Sequence, residues 1–195
     1  MGELPSRSGA ALAWQGQANR EHSVAMAGVV LDWGARRVEI RPARLEDTEL
    51  VRGALEHASA WLRARGIDQW PERFSLDWVG PAVEHGDTWL AECNGQVAGT
   101  LTISSADPVW PEDQGDARYV HRVAVERWAA GLGRVLVDWA GTRSVSEGCR
   151  FLRLDCVDHN EQLCHYYDAL NFEERGKVDL HGTVVRRYER RLVDY

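Results

Sequence analysis

The sequence predicts an α/β fold with about six to seven strands and about four helices. Segments with helical and with strand periodicity alternate along the chain. Asn94 and Gly95 join two β-rich runs, and such a pair is the strongest short signal for a hairpin. Between Tyr119 and Ala140, a strand, a glycine-bearing loop and a helix follow one another. Together these observations indicate a sheet packed against helices.

The composition is that of a globular chain, with 44% hydrophobic residues and a formal net charge of −7 at pH 7. This negative balance argues against nucleic acid as the main partner and is compatible with a cationic substrate. No apolar run approaches membrane-spanning length, and the N-terminus lacks the features of a signal peptide. The 4 cysteines form no Cys-x-x-Cys pair and have no histidine at zinc spacing. We therefore expect reduced thiols in a cytoplasm, and no bound metal.

The length fits one domain preceded by an extension. Residues 1–36 are rich in Gly, Ala, Ser and Gln and show little periodicity, so we predict a mobile or loosely docked N-terminal extension. Residues 37–195 are predicted to form the single folded domain.

The first half of this domain is predicted to contain two helices between strands. Residues 38–42 have the pattern of a strand, and Asp47 is a good N-cap for the helix that follows. That helix, ending near Gly66, carries an apolar stripe formed by Leu50, Val51, Ala54, Leu55, Ala58, Trp61 and Leu62. A loop over residues 67–71 leads to a second short helix, for which Ser75 is a candidate cap.

The second half alternates strands with helices after the predicted hairpin. The two hairpin strands cover residues 88–93 and 96–103, and a long loop follows over residues 104–116. Loops of this length inside a compact domain are often functional. Further strands are predicted at residues 119–125, 151–157, 173–178 and 184–188, with helices beginning at Leu132 and at Glu161.

The loop between the central strand and its helix contains Gly131 and Gly133. Glycine lets the backbone approach a ligand closely, and the first amides of a helix have no partner within it. Such a place binds an anion, most simply a phosphate. An ordinary strand-to-helix turn is the alternative. The sequence does not form a Walker loop or a complete dinucleotide fingerprint, because the additional residues of both motifs are absent.

A second stretch, residues 151–172, points to a specific family when it is taken together with the glycine loop. Asn160, a helix bearing Tyr167, and then Asn171 and Phe172 follow the strand at residues 151–157. With the glycine loop at 129–134, this stretch resembles the GNAT superfamily of acetyltransferases. The resemblance covers roughly residue 38 to the C-terminus, although its strong motifs lie in the second half. It implies a mixed, mostly antiparallel sheet and acetyl transfer from acetyl-CoA to an amine.

The resemblance also assigns the residues that contact the cofactor. By position, CoA would contact Val123, Ala124, Val125, Ala130, Gly131, Leu132, Gly133, Arg134 and Asn160. Two positions depart from the family pattern. Trp128 stands where an Arg or Gln is usual, which affects a side-chain contact to phosphate and not the amides of the loop. Asn171 replaces a glycine, and asparagine tolerates the left-handed conformation that a turn requires there.

Two residues are candidates for the proton transfers that the implied reaction needs. An alkyl amine is mostly protonated near neutral pH, so a base or a water chain must take its proton before it attacks a thioester. Tyr167 lies where the family has the acid that protonates the departing thiolate, and Tyr166 is the lesser candidate. His121 titrates in the right range for the base, and serotonin N-acetyltransferases resemble this strand in carrying a histidine there.

Other interpretations of these residues stay open at this point. Tyr167 is alternatively a core aromatic, and His121 a core or edge histidine bonded to a carbonyl. Four carboxylates compete with His121 for the role of base: Asp68, Glu112, Asp116 and Asp155. Each of them is alternatively a solvated surface group.

The acceptor site is predicted from acids and tryptophans in two loops. Trp70 and Trp110 lie in loops, where large rings often line a pocket or an interface. With Asp68, Glu112, Asp116 and Asp155 they would suit a cationic amine or amino sugar. Our best hypothesis for the substrate is an aminoglycoside antibiotic, of the kasugamycin type. The alternatives are a protein or peptide N-acetyltransferase and a non-catalytic CoA-binding domain. A homodimer is compatible with the sequence.

Overall fold

The computed structural model of the protein describes residues 28–112, 115–180 and 182–192. Its elements are β1 (Val29–Trp33), β2 (Arg36–Pro42), α1 (Thr48–Arg63), α2 (Leu76–Glu84), β3 (Thr88–Cys93), β4 (Gln96–Ser104), β5 (Ala117–Val125), α3 (Leu132–Ser146), β6 (Phe151–Val157), α4 (Glu161–Ala169), β7 (Glu173–Leu180) and β8 (Thr183–Arg191). The predicted α/β class and the 4 helices are confirmed, and the described sheet has 8 strands, slightly more than predicted.

The strands form one mixed sheet in the order β1-β2-β3-β4-β5-β6-β8-β7. Every neighbouring pair is antiparallel except β5 and β6, which are parallel. The hairpin at Asn94 and Gly95 is confirmed, since both residues have positive φ, 54° and 74°, as a tight turn between antiparallel strands favours. The central position of β5 places it beside both the antiparallel half of the sheet and the parallel strand β6.

Strand β1 is the element that sequence reasoning missed. It lies within the predicted extension and pairs with β2 from Val29↔Ile40 to Trp33↔Arg36. Gly34, with φ 60°, allows the tight turn between the two strands. The prediction of a loosely docked segment is therefore wrong for these residues, because five residues are too short to show periodicity beside a polar stretch. The rest of the extension, 1–27, lies outside the described residues.

The sheet is covered on both faces. Along β3, Trp89 and Ala91 belong to the core cluster that includes Leu136 of α3, whereas Leu90 belongs to the cluster that includes Leu55 of α1. Successive side chains of a strand point to opposite faces, so α3 and α1 pack on opposite sides of the sheet. The fold is thus a three-layer arrangement with β5 near the middle of the central layer.

Asp47 precedes α1 as predicted, but its carboxylate does not cap that helix. It accepts hydrogen bonds from the guanidinium of Arg41 at 2.6 Å and from the backbone N–H of Arg44 at 2.8 Å. The hydrogen bond from Arg41 is the main reason that the pKa of Asp47 is lowered. The carboxylate therefore pairs with Arg41 and closes the 3₁₀ turn Leu45–Asp47 that leads into α1, instead of capping α1 itself.

Strands β5 and β6 separate along their length. Their parallel pairing runs from Ala117↔Phe151 to Tyr119↔Arg153 and ends there, although β5 continues to Val125. On its other edge β5 stays paired with β4, with a bulge next to Arg122, whose φ is 53°. Because the two strands diverge, the β6-facing edge of β5 beyond Tyr119 is open to a ligand.

Candidate functional site

A cleft of about 1590 Å³ opens where β5 and β6 separate. It is also bordered by α1, the loop between α1 and α2, the start of α3, and α4. Val123, Ala124 and Val125, which were predicted to contact CoA, line it along β5. An extended ligand can add to a free strand edge through main-chain hydrogen bonds. The cleft therefore offers a pantetheine-like chain an edge that the sheet itself leaves unpaired.

The glycine loop closes one end of this cleft. Gly131 has φ 93° and is the N-cap of α3, while Ala130, Gly133 and Arg134 line the cleft with it. Leu132 does not line the cleft because its side chain is fully buried in the core, where it anchors the helix. A left-handed residue followed at once by a helix presents unpartnered amides, which favour an anion.

The backbone at Gly133 lies close to two neighbouring side chains at the same point. A Cβ there would lie 3.2 Å from the hydroxyl oxygen of Tyr166 and 3.7 Å from Val125 Cγ2. The first distance is tighter than ordinary van der Waals contact. The start of α3, the end of β5 and α4 therefore lie close together at the glycine-loop end of the cleft.

A basic residue, Arg127, stands one position before Trp128 and lines the cleft. Its guanidinium lies 4.8 Å from the ring centroid of Trp61. Trp128, which stands where the family pattern has Arg or Gln, is 39% exposed. Its ring lies 6.4 Å from that of Trp33, and the guanidinium of Arg36 lies over both rings. Arg127 is thus available for a phosphate, and Trp128 is not a donor there.

Asn160 is buried and has two roles in the structure. Its side-chain oxygen accepts a hydrogen bond from the N–H of Leu163 at 3.2 Å and so caps α4. Its amide nitrogen donates to Gln69 Oε1 at 2.7 Å. Gln69, in the α1–α2 loop, therefore crosses to the opposite wall of the cleft. Sequence reasoning missed Gln69, because nothing in the loop indicates a partner 91 residues away.

Tyr167 lies in the cleft wall with its side chain largely buried. Its ring centroid is 5.9 Å from that of Phe172 and 5.7 Å from that of Tyr188. Burial is the main cause that raises the pKa of Tyr167, so the phenol keeps its proton through the physiological range. Tyr166 also lines the cleft, but it is 37% exposed. A neutral, fixed phenol is suited to donate a proton.

His121 and Asp155 meet a third residue that the sequence did not single out, Asp107. One ligand atom from each of the three lies within 4.8 Å of the others. His121 Nε2 is 3.0 Å from Ser104 Oγ and 3.7 Å from Asp107 Oδ2. We call Asp107, His121 and Asp155 the acidic cluster. All three line the cleft. Asp107 could have been found only as one of several acids in the long loop.

The titration of the acidic cluster is shifted by its surroundings. Burial, with a further contribution from the charge of Asp107, raises the pKa of Asp155 to about 7. Burial lowers the pKa of His121, and the charge of Asp107 opposes this while that of Arg122 adds to it. At neutral pH the imidazole is therefore neutral, whereas Asp155 is close to its midpoint.

The α1–α2 loop supplies part of the predicted acceptor side. Asp68 and Trp70 line the cleft, and the hydroxyl of Ser59 donates to the carbonyl of Pro71 at 2.7 Å. Trp70 packs edge-on against Phe74, with ring centroids 6.1 Å apart. Asp68 stays exposed and lies 3.3 Å from Arg63. The loop is thus held in place by its backbone and by aromatic packing.

The structure places three predicted acceptor residues outside the cleft. Trp110 is buried, and the guanidinium groups of Arg153 and Arg187 lie 4.7 and 4.8 Å from its ring centroid. Glu112 is exposed and pairs with Arg187 at 2.6 Å. Asp116 accepts a 2.9 Å hydrogen bond from Arg150. The expectation that they share a pocket with Trp70 is not met, because Trp110 turns inward as the core of its own loop.

Comparisons with known proteins agree with this geometry. The model of the Acetyltransferase (GNAT) family matches residues 55–172. An uncharacterized N-acetyltransferase of Bacillus subtilis, YesJ, is 30% identical over 146 residues, which cover 69% of this chain and 81% of YesJ. A GNAT-family acetyltransferase of Listeria monocytogenes has a similar structure, with a TM-score of 0.70, 25% identity, and coverage of 84% of this chain and 100% of that one.

A second similar structure contains acetyl-CoA. It is yncA of Salmonella typhimurium with its cofactor acetyl-CoA, with a TM-score of 0.60, 18% identity, and coverage of 81% of this chain and 95% of that one.

None of the helices in the described part of the chain combines the length and the apolarity that crossing a membrane requires.

Proposed function

Because the chain belongs to the GNAT family of acetyltransferases, we propose that it transfers an acetyl group from acetyl-CoA to a primary amine of a small cationic molecule. The observation that carries this proposal is the separation of β5 from β6, with the glycine loop and Tyr167 bordering the resulting cleft. That arrangement supplies an anion site, an open strand edge and a proton donor around one space.

On the cofactor side, the proposal assigns the pyrophosphate of acetyl-CoA to the amides of Ala130 to Arg134. The pantetheine arm pairs with backbone groups of Val123 and Val125 as an added strand. Arg127 is within reach as a side-chain partner for a phosphate, since it lines the same end of the cleft. The Asn160 amide nitrogen gives one of its two hydrogens to Gln69 Oε1, so its second hydrogen can contact the cofactor while this hydrogen bond is kept.

On the chemical side, a neutral amine attacks the thioester carbon, and the C–S bond of the resulting tetrahedral adduct breaks. The departing CoA thiolate then takes a proton from the hydroxyl of Tyr167. Burial keeps this phenol neutral, which is the form that can donate. The role of Tyr167 is that of an acid used in the transition state rather than a group that binds acetyl-CoA.

The nature of the cleft favours a small acceptor over a folded protein. Its acceptor half is lined by Trp70 and Trp78, with Asp68 and the acidic cluster as negative groups. Rings and carboxylates together suit a cationic amine. Asp68, Trp70 and Asp155 line the cleft and still support an aminoglycoside as the acceptor. Trp110, Glu112 and Asp116 lie outside the cleft and no longer support it. A peptide amine is the second candidate, and an acetyl-CoA-binding domain without activity is the third.

Two parts of the proposal concern the setting of the enzyme. The 4 cysteines are free and buried, which supports a cytoplasmic location, where thiols stay reduced. The net charge of −7 disfavours nucleic acid as a partner. A homodimer stays a prediction.

The proposal is tested with a panel of amines assayed with acetyl-CoA for release of free thiol. The panel contains aminoglycosides, polyamines, amino acids and short peptides. We expect saturable turnover with at least one small cationic amine, and none in Tyr167→Phe above a small residual rate. Turnover with peptides alone would replace the small-molecule proposal by the peptide one. A protein that binds acetyl-CoA but acetylates nothing in the panel would support the non-catalytic alternative.

A further inference from the structure

An arginine in the cleft wall has an unusual backbone conformation. Arg122 lies in β5, lines the cleft and has a φ of 53°. The pairing with β4 has a bulge at this point, between the pairs that Thr100 and Thr102 form. A left-handed conformation costs about 1–2 kcal/mol for a residue with a side chain, and bulges with such a residue usually have glycine there. An arginine at this position indicates that its side chain has a use.

The protein uses only part of this guanidinium. Nη1 of Arg122 donates to the carbonyl of Trp78 at 3.0 Å, and the guanidinium carbon lies 4.8 Å from the centroid of the Trp78 ring. Within the described ranges, no carboxylate accepts a hydrogen bond from it. Its nitrogens Nε and Nη2 are not buried. Because arginine has five N–H donors and this one lines the cleft, several donors are available to a ligand there.

The charge of Arg122 is compensated only from a distance. Burial lowers the pKa of Arg122 to about 10, and the charge of Asp87 opposes this effect. The guanidinium is therefore still charged at neutral pH. Asp87 does not line the cleft, and burial raises its own pKa to about 6. A half-buried cation without a paired carboxylate is unfavourable, so an anion that enters the cleft would stabilise it.

We propose that Arg122 binds a carboxylate of the acceptor, which therefore carries a carboxylate in addition to its primary amine. The ligand class is a small amino acid or a similar zwitterion. The identification of the ligand as the acceptor rests on the proposed function, whereas carboxylate binding at Arg122 does not. Arg122 is then a residue that determines substrate specificity and takes no part in proton transfer.

The phosphates of CoA are not the anion expected at Arg122. The proposed function assigns the pyrophosphate to the amides of Ala130 to Arg134 and the pantetheine arm to Val123 and Val125. Arg122 precedes both segments in the chain, and the glycine loop follows the far end of β5. Arg122 therefore lies at the acetyl end of the arm, and an anion bound there belongs to a second molecule in the cleft.

A carboxylate suits this position better than a phosphate does. Two parallel N–H donors of a guanidinium match the two oxygens of a carboxylate. Asp68, Asp107 and Asp155 line the same cleft, and their negative charge repels a doubly charged phosphate more strongly than a singly charged carboxylate. One guanidinium also neutralises one carboxylate charge, so the pair is balanced.

Carboxylate binding is tested without acetyl-CoA, by following the indole N–H signal of Trp78 in an NMR titration. Trp78→Phe assigns that signal among those of the 9 tryptophans. Propionate is the probe, and propionamide is a neutral control of nearly the same shape. We expect a saturable shift with propionate and none with propionamide. Arg122→Gln should weaken the propionate response by about tenfold or more, since it removes a charge-assisted pair.

Two further variants control for changes in the fold. Arg122→Gly should weaken propionate binding equally, and glycine adopts a φ of 53° without strain, so its backbone is not perturbed. Arg118→Gln is the matched control, because Arg118 lies in the same strand but outside the cleft and pairs with Glu147 at 2.7 Å. It should leave the propionate affinity within about twofold of the wild type.

Three results of these titrations would overturn the carboxylate site. The first is an equal response to propionate and propionamide. The second is unchanged propionate binding in both Arg122 variants, with their folding verified by thermal melting. The third is tighter binding of inorganic phosphate than of propionate, which would make Arg122 a phosphate site instead.

The assignment to the acceptor is tested by turnover with acetyl-CoA and a matched pair of amines, 4-aminobutyrate and 4-aminobutanamide. We expect the KM of the acid to be lower by about tenfold or more. Arg122→Gln should abolish this difference through KM, with a smaller effect on kcat. Equal KM values for the two amines in the wild type, or aminoglycosides as better acceptors than the acid, would overturn the assignment. If no amine is acetylated, the proposed function and the acceptor assignment both fail, whereas the titrations still decide the carboxylate site.

Discussion

The two halves of the cleft are built in different ways. The half that we propose for the cofactor consists mainly of backbone groups from one continuous stretch, the end of β5, the glycine loop and the start of α3. The half that we propose for the acceptor consists of side chains from separate segments, with Asp107 from a loop, His121 from β5 and Asp155 from β6. A backbone site tolerates most side-chain changes and depends on conformation. A side-chain site depends on each group, so its specificity can change by single substitutions.

This difference makes the halves separable by mutation. Substitutions in the acidic cluster should change the kinetics of the amine and leave the affinity for acetyl-CoA unchanged. Substitutions that alter the backbone of the glycine loop should weaken the binding of acetyl-CoA and leave the KM for the amine unchanged. Tyr167 lines the same cleft and should affect turnover without changing either binding step.

The largest effect is expected for Tyr167→Phe, which keeps the buried ring and removes the proton. Turnover should fall by about 10²–10⁴-fold, the usual contribution of a positioned acid, while the acetyl-CoA dissociation constant stays near the wild-type value. Stopped assays for thiol release and calorimetry measure the two quantities. Tyr166→Phe is the matched control, one residue away and more exposed, and should retain most of the activity. Near-wild-type turnover of Tyr167→Phe would leave the ring with a packing role only.

Asp155→Asn should reduce turnover by about 10²-fold and should remove the rise of kcat with pH around neutrality. In the wild type the carboxylate is the active form, so activity should rise with pH through the pKa of Asp155, about 7. The variant has no titrating group there, and this inflection should disappear from a plot of kcat against pH. If the plot of kcat against pH for Asp155→Asn keeps an inflection at the wild-type midpoint, the inflection belongs to another residue.

The same variant has an expected effect on stability. The pKa of Asp155 is raised to about 7 in the folded protein, whereas the ordinary value is near 4, so the fold favours the protonated form. The wild type should therefore lose stability as the pH rises from about 4 to about 7. Asp155→Asn lacks this loss, and its advantage in melting temperature should grow over that range. A difference that does not depend on pH would contradict the shifted titration.

Gly131→Val should weaken acetyl-CoA binding by about tenfold, because a left-handed conformation costs about 1–2 kcal/mol for a residue with a side chain, and a shifted loop loses its contacts. Gly131 has φ 93° at the start of α3. The control is Gly86→Val, since Gly86 also has positive φ, 78°, and open space around it, but does not border the cleft. Calorimetry should show weaker binding for the first variant only. Equal affinity of Gly131→Val and Gly86→Val for acetyl-CoA would mean that the glycine loop does not bind the cofactor.

The contrast between the halves also explains what the sequence could predict. The glycine loop and the strand before it are local, and their conformation follows from Gly131 and the apolar pattern around it. His121 and Asp155 were found individually, because each lies on a predicted strand near a recognisable motif. Asp107 and Gln69 were not found, since their partners lie on other segments of the fold. Contacts between distant segments depend on register and strand separation, which periodicity does not define.

The error at Trp110 has a similar physical origin. A tryptophan and several acids in a long loop are compatible with a pocket wall, but the same ring can form the small core of its own loop. In the structure Trp110 packs beside Tyr119, with ring centroids 6.2 Å apart, and Glu112 is used in an ion pair. Composition alone does not distinguish these arrangements, because both bury the ring and leave the acids near the surface.

The smallest effects are therefore expected for Glu112→Gln and Asp116→Asn, which lie outside the cleft. Both should leave the KM for the amine and for acetyl-CoA within about twofold, because exposed ion pairs contribute little. Raising the ionic strength should still increase the KM for the amine, since the attraction between exposed charges is screened beyond about 8 Å at physiological salt. A large change in the amine KM for Glu112→Gln would mean that the long loop forms part of the acceptor site.

The most direct test of the two-part cleft is a crystal structure with bound acetyl-CoA. We expect the pyrophosphate at the amides of Ala130 to Arg134, the pantetheine along the free edge of β5 at Val123 and Val125, and the acetyl group between Tyr167 and the acidic cluster. An acetyl group directed away from Asp107 and Asp155, or a pantetheine arm that does not pair with β5, would contradict the account.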